Sequence, residues 1–171
     1  MKKLFISLLL CILLCGCSKK TKQNDGIERL YLDSSYYNLG DYIDIDSDDL
    51  NNISGNYLLF TYNNYCNFSV PCDEIFKVFM EKYKIDILSI PFDEFKKKSF
   101  YETVKYAPSI IIVEDGAIKA YLDAESDDDI KKYTNADEFE KWLNNYISFT
   151  SKKNIWLSFI YFLLTKRIFF I

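Results

Sequence analysis

Cys66 and Cys72 are the residues whose type and spacing could do chemistry. They sit at the end of Tyr57-Leu58-Leu59-Phe60-Thr61-Tyr62-Asn63-Asn64-Tyr65-Cys66-Asn67-Phe68-Ser69-Val70-Pro71-Cys72. An apolar, aromatic run reads as a buried strand, a polar turn follows, and a helical pattern opens immediately after Cys72. A cysteine delivered to a helix N-terminus meets unpaired backbone N–H groups and the positive end of the helix dipole, which favour thiolate over thiol. The chemistry such a pair offers is thiol–disulfide exchange, or a structural disulfide closing a small loop. Asp73 and Glu74 directly follow Cys72 and oppose the dipole by like-charge repulsion of a thiolate.

Other chemistries fall away by composition. The chain of 171 residues contains no histidine, which excludes Ser-His-Asp and Cys-His nucleophilic sites and histidine-ligated zinc. Its formal charge is −4 with no basic stripe, a poor match to a phosphate backbone, so no nucleic-acid partner is expected. Glu125 to Lys132, with Asp127-Asp128-Asp129, lacks the alternating ligand spacing and the glycine of an EF-hand loop. It reads as a solvated loop and helix cap, and neither a metal nor another cofactor is called for. Apolar residues make up 49%, enough for one domain with a core.

The elements that must position the cysteines follow from periodicity. Ile27 to Leu32 reads as an edge strand or an ordered lead-in, and Tyr42 to Ile45 as a short strand. Asp46-Ser47-Asp48-Asp49-Leu50 is a capped helix start, with Gly55 as its stop. After Cys72, the residues Ile75, Phe76, Phe79, Met80 and Tyr83 recur at three- and four-residue steps, an amphipathic helix. Ile85 to Ile90 is a strand, and Phe92 to Tyr106 a second, more polar helical stretch with Phe95 and Tyr101 or Val104 inward. Ile110-Ile111-Ile112-Val113 is a strand covered on both faces. Asp115-Gly116 is a hairpin turn, and Ile118 to Leu122 returns antiparallel. Asn135 opens a terminal helix with Phe139, Trp142, Leu143 and Tyr146 on one face. The fold class expected is α/β, a mixed central sheet with flanking helices.

The N-terminus carries an address. Lys2 and Lys3 precede an apolar stretch, Leu4 to Leu14, too short to span a bilayer. Leu14-Cys15-Gly16-Cys17 resembles the lipobox of bacterial lipoproteins. That resemblance implies a signal peptide over 1–16, cleavage before Cys17, and diacylglyceryl transfer and acylation (palmitate) at Cys17. A polar tether over 17–26 would then lead to the domain over 27–149, held at the extracytoplasmic face of a bacterial cell membrane. Cys11 and Cys15 leave with the leader, so Cys66 and Cys72 are the cysteines of the folded part. In such a compartment a pair this close in sequence is disulfide-bonded or cycling. The apolar tail, 150–171, holds too few consecutive apolar residues to span a bilayer before Lys166 and Arg167 interrupt it. It reads as an interfacial segment or as the product of a frame change in AT-rich DNA, outside the core.

Ala107-Pro108-Ser109-Ile110-Ile111-Ile112-Val113-Glu114-Asp115-Gly116-Ala117-Ile118 resembles the thioredoxin superfamily, where a cis-proline opens a β-branched strand that turns at a glycine-containing hairpin. Tyr65-Cys66 resembles the aromatic-Cys that opens the family's Cys-x-x-Cys, and Pro71-Cys72 the Pro-Cys that closes it. The likeness covers about Tyr42 to Phe149 and implies a thioredoxin-like fold. It further implies Cys66 as attacking thiol, Cys72 as resolving thiol, and Tyr65, Ala107 and Pro108 as the walls of a substrate groove. Protein thiols or disulfides are the implied partners, beside the membrane reached through the lipid on Cys17. Two features depart from the family. Three extra residues lie between the cysteines, so that aligning on the helix instead puts Ser69 at the attacking position. Phe60 stands where many thioredoxins bury a carboxylate that assists proton transfer. The alternative reading is a thioredoxin-fold lipoprotein that binds a partner without turnover, with a structural Cys66–Cys72 disulfide.

Overall fold

A computed structural model describes residues 29–63 and 71–149. Its sheet has five strands in the order β1-β3-β2-β4-β5: β1 is Tyr42–Asp44, β2 Tyr57–Tyr62, β3 Ile87–Pro91, β4 Ser109–Glu114 and β5 Ala117–Tyr121. β2 is central and buried from Tyr57 to Thr61. It runs parallel to β3, with Phe60 opposite Ser89, and antiparallel to β4, with Phe60 opposite Ile110. β1 adds to β3 in parallel, and β5 adds to β4 through the Asp115–Gly116 turn. Both turn residues have positive φ, 48° and 80°, the geometry that matches a hairpin's twist and that Asp-Gly tolerates. This is the expected mixed α/β sheet, with helices on both faces.

Alternation along β2 divides the core. Leu58 and Phe60 face Phe76, Phe79 and Met80 from helix α2 (Cys72–Tyr83). With them lie Tyr133 from α4 (Ile130–Thr134) and Phe139, Trp142 and Leu143 from α5 (Ala136–Leu143). Tyr57 and Leu59 face the other way, onto Leu50 of α1 (Ser47–Leu50), Phe95 of α3 (Phe92–Phe95) and Val104. Phe76 is the hub of the first layer, with ring centroids 4.5 Å from Phe139, 5.5 Å from Phe60 and 6.0 Å from Tyr133. Burying each such aromatic side chain contributes about 1.5–3 kcal/mol. α2 stops at Lys84, a left-handed residue whose N–H bonds the Met80 carbonyl. α5 starts where the Asn135 side chain accepts the N–H groups of Asp137 and Glu138.

Local expectations hold with adjustments, one being that α5 ends at Leu143 and leaves Tyr146 in the turn after it. Within Ile27 to Leu32, the described residues form an ordered lead-in rather than a strand of the sheet: Leu30 makes an isolated parallel bridge to Ile147. α1 has its Asp46 cap and a reciprocal Asp49 bond, but ends at Leu50, ahead of Gly55. The stretch from Phe92 to Tyr106 is no continuous helix; α3 is followed by a separate 3-10 turn, Ser99–Glu102. The reason is legible in the burial: Lys96, Lys97 and Lys98 interrupt the apolar stripe between buried Phe95 and Val104, so two short turns suffice to cover the sheet. β3 begins at Ile87, because Asp86 just before it is spent on a loop. Its carboxylate accepts the backbone N–H groups of Leu39, Gly40 and Asp41 at 3.2, 2.8 and 3.0 Å.

Candidate active-site groove

Cys72 is the first residue of α2, buried at 3% exposure, with Pro71 as the extended residue before it. Proline suits this boundary, having no N–H to leave unsatisfied and a φ fixed near that of a first turn. The thiol therefore lies at the helix end where backbone N–H groups remain without intrahelical acceptors. Beside it opens a groove of about 430 Å³ at the carboxyl ends of the parallel strands, lined by Cys72, Pro108, Phe60, Tyr62 and Tyr42 among others. Crevices at that end of a parallel sheet are common places for ligands.

The opposite wall is the Ala107–Pro108 segment, whose peptide bond is cis. Two side chains from distant elements hold it. Asn63, just past β2, donates its Nδ2 to the Ala107 carbonyl at 3.3 Å. Tyr133 donates its hydroxyl to the carbonyls of Pro108 and Leu122 at 2.8 and 2.9 Å. The Ser109 hydroxyl also donates to the Leu122 carbonyl. Burial pushes the ionisation of Tyr133 upward, with the negative charge of Cys72, Asp129 and Asp123 adding to it against the Ser109 hydrogen bond. Tyr133 thus remains a neutral donor.

Tyr42 closes the β1 side. Its hydroxyl donates to the Asp73 backbone carbonyl at 2.9 Å, tying the edge strand to the first turn of α2. Burial, then the charges of Asp73 and Cys72, raise its ionisation as well. Phe60 is buried on the groove floor between Tyr42 and Tyr62, with ring centroids at 5.5 and 5.7 Å. Among the described residues the groove also presents the polar side chains of Asn63, Asp44, Asp73 and Ser89, the last donating to Asp44 Oδ1 at 2.5 Å.

Of the residues singled out from sequence, Cys72, Ala107 and Pro108 converge here: Cys72 and Pro108 line the same groove and Ala107 is bonded at its rim. Tyr65, Cys66, Ser69 and Cys17 lie outside the described residues, as do the leader and the tail 150–171. Asn63, Tyr133, Asp44 and Ser89 belong to the site without any sequence signal that marks them. Among the described residues no group of three or more carboxylate or cysteine ligands could hold a metal ion, and no helix is long and apolar enough to cross a membrane.

No family model matches the sequence, and no curated protein does. Several solved structures are similar to it. A single-residue mutant of thioredoxin from Halobacterium salinarum NRC-1 is 15% identical and aligns over 66% of this chain and 96% of its own, with a TM-score of 0.46. Thioredoxin f from spinach chloroplast (long form) is 14% identical over 68% of this chain and 96% of its own, with a TM-score of 0.45. Schistosoma mansoni thioredoxin is 16% identical over 64% of this chain and 99% of its own, also with a TM-score of 0.45.

Proposed function

We propose that the chain is a membrane-anchored, extracytoplasmic protein that exchanges disulfides with other proteins through Cys66 and Cys72. The observation that carries the reading is the placement of Cys72: first residue of α2, buried, in one groove with Pro108. A buried thiol at that helix end suits the resolving role, leaving attack to Cys66, which follows β2 in sequence. In the reducing direction the Cys66 thiolate attacks one sulfur of a substrate disulfide, and the substrate S–S bond breaks. One substrate sulfur leaves as thiolate and takes up a proton, and the other is held in a mixed disulfide with Cys66. The Cys72 thiolate then attacks Cys66 Sγ, releasing the second substrate thiol and closing Cys66–Cys72. Two electrons pass to the substrate, and a thiol donor resets the pair; the oxidising direction is the same sequence reversed. The lipid on Cys17 holds this chemistry at the membrane surface.

A binding module that does not turn over is the second reading. It is favoured by Phe60, which fills the groove floor with an aromatic ring where a proton-transferring carboxylate is absent. The reduction potential of the Cys66–Cys72 couple separates the two. A working couple is expected above about −300 mV, whereas a structural disulfide lies below it. Equilibration against glutathione or dithiothreitol buffers, read by mass spectrometry after alkylation, measures it; a value well below that limit would remove the exchange reading.

A further inference from the structure

The groove beside Cys72 is chemically lopsided. Tyr42, Phe60 and Tyr62 form a row of rings along its floor. Two carboxylates, Asp44 and Asp73, line it, and no lysine or arginine among the described residues does. Among the described residues neither carboxylate makes a salt bridge. The segment 64–70, which joins β2 to Pro71, contains no charged residue and so cannot supply the missing cation. Ser89, 2% exposed, spends its hydroxyl on Asp44 Oδ1, which fixes one carboxylate oxygen and leaves the other for a ligand.

We propose that this groove is a subsite for a lysine or arginine side chain of an extended polypeptide, whose stem lies along the Tyr42–Phe60–Tyr62 row while its cationic head meets Asp44 and Asp73. Long cationic side chains cover apolar and aromatic surface with their methylenes and keep the charge at the rim, and a cation near a ring face is attracted by its quadrupole. Acidic substrates meet two like charges in the same place, so the groove selects by repulsion as well as attraction. The subsite rests on the reading of this groove as the place where a partner polypeptide binds, and it makes that partner a basic segment.

The test uses the full chain in detergent micelles and two acetylated pentapeptides with a central serine, one carrying lysine and the other glutamate two residues away. Binding is followed by the amide shifts of Asp44 and Ser89. The lysine peptide is expected to bind about fivefold more tightly than the glutamate peptide, the scale of a rim ion pair with an added cation–π contact. Asp44→Asn should shrink that ratio below about twofold, while Glu125→Gln, which removes the same charge from an exposed loop outside the groove, should leave it unchanged. Equal binding of the two peptides, binding of neither, or a ratio that survives Asp44→Asn overturns the subsite. A parallel series replaces the serine by cysteine in a mixed disulfide and measures exchange. Exchange without charge preference overturns the subsite and spares the thiol reading. A lysine preference in binding without exchange does the reverse.

Discussion

The hydroxyl of Tyr133 reaches the carbonyl of Pro108 across 25 positions of sequence, at 2.8 Å and fully buried. A residue of α4, on the far side of the first core layer, thereby fixes the segment that walls the groove. The same hydroxyl touches the Leu122 carbonyl at the end of the hairpin, so the groove wall, β5 and α4 share one polar point inside an apolar layer. Buried polar groups are costly when left unmade, which makes this point testable.

Tyr133→Phe should leave the Pro108 carbonyl without this donor, while Leu122 keeps its bond from Ser109. A loss of about 1–3 kcal/mol in unfolding free energy is expected, from one buried acceptor left unsatisfied. Urea denaturation measures it. Unchanged stability would mean that the carbonyl finds another partner.

Asp86 should impose an acid dependence. Burial acts to raise its ionisation, but the backbone N–H groups of Asp41, Gly40 and Leu39, with the Asn38 side chain, outweigh it and hold the carboxyl below its usual range. A group lowered in the folded state stabilises fully above the unfolded pKa, about 3.9, and that contribution is lost as pH falls through the lower folded value. The stability difference between the wild type and Asp86→Asn should therefore be largest at neutral pH and shrink below about pH 4. A difference independent of pH from 2 to 7 (about the full range of this titration) would deny the carboxylate that role.

The two cysteines should differ in reactivity. With Cys72 buried, alkylation of the reduced protein is expected to modify Cys66 first, with an apparent pKa near or modestly below about 8.5. The dipole at the α2 N-terminus contributes only about 0.3–1 kcal/mol when exposed, up to ~2 when partly buried, against the nearby carboxylates of Asp73 and Glu74. Peptide mapping after timed alkylation gives the order. Cys72 modified first would reverse the two roles.

Lipidation is expected to depend on a single residue. Cys17→Ser should leave an unprocessed precursor that no longer takes up a fatty-acid analogue. Undiminished labelling would end the lipoprotein reading.

Phe76→Ala should cost about 3–5 kcal/mol, the range for emptying a buried phenylalanine site. Phe76 joins Phe60 on the groove floor to Phe139 and Tyr133, so the groove should loosen along with the core. Thermal unfolding checks the magnitude; a loss under ~1 kcal/mol would show that neighbouring rings collapse into the space.

Local structure was readable from the chain alone. The β-branched run from Ile110 to Val113 with Asp115-Gly116 after it could be little but a buried strand and a tight hairpin, and the three- and four-residue spacing after Cys72 little but an amphipathic helix. Pro108 was picked out by a family resemblance of the Ala107-Pro108-Ser109 run and the strand after it, not by local pattern. The strand, the hairpin and the helix follow from backbone sterics and from periodicity within a few residues. The assembled fold, and nothing short of it, brings Asp44 to Ser89, sets Asn63 and Tyr133 on the groove wall, and closes the loop at Gly40 with Asp86. Each of those pairs is 25 or more residues apart in sequence. They exist because β1 pairs with β3 rather than with β2, because β2 pairs antiparallel with β4, and because Tyr133 of α4 reaches the Pro108 carbonyl just ahead of β4. The same local signal failed between Phe92 and Tyr106, where the sheet needed covering at only two points and the chain formed two short turns instead of a helix. Side-chain pairing across a sheet depends on strand order, and strand order is fixed by how the whole apolar surface is buried, not by any one segment's pattern.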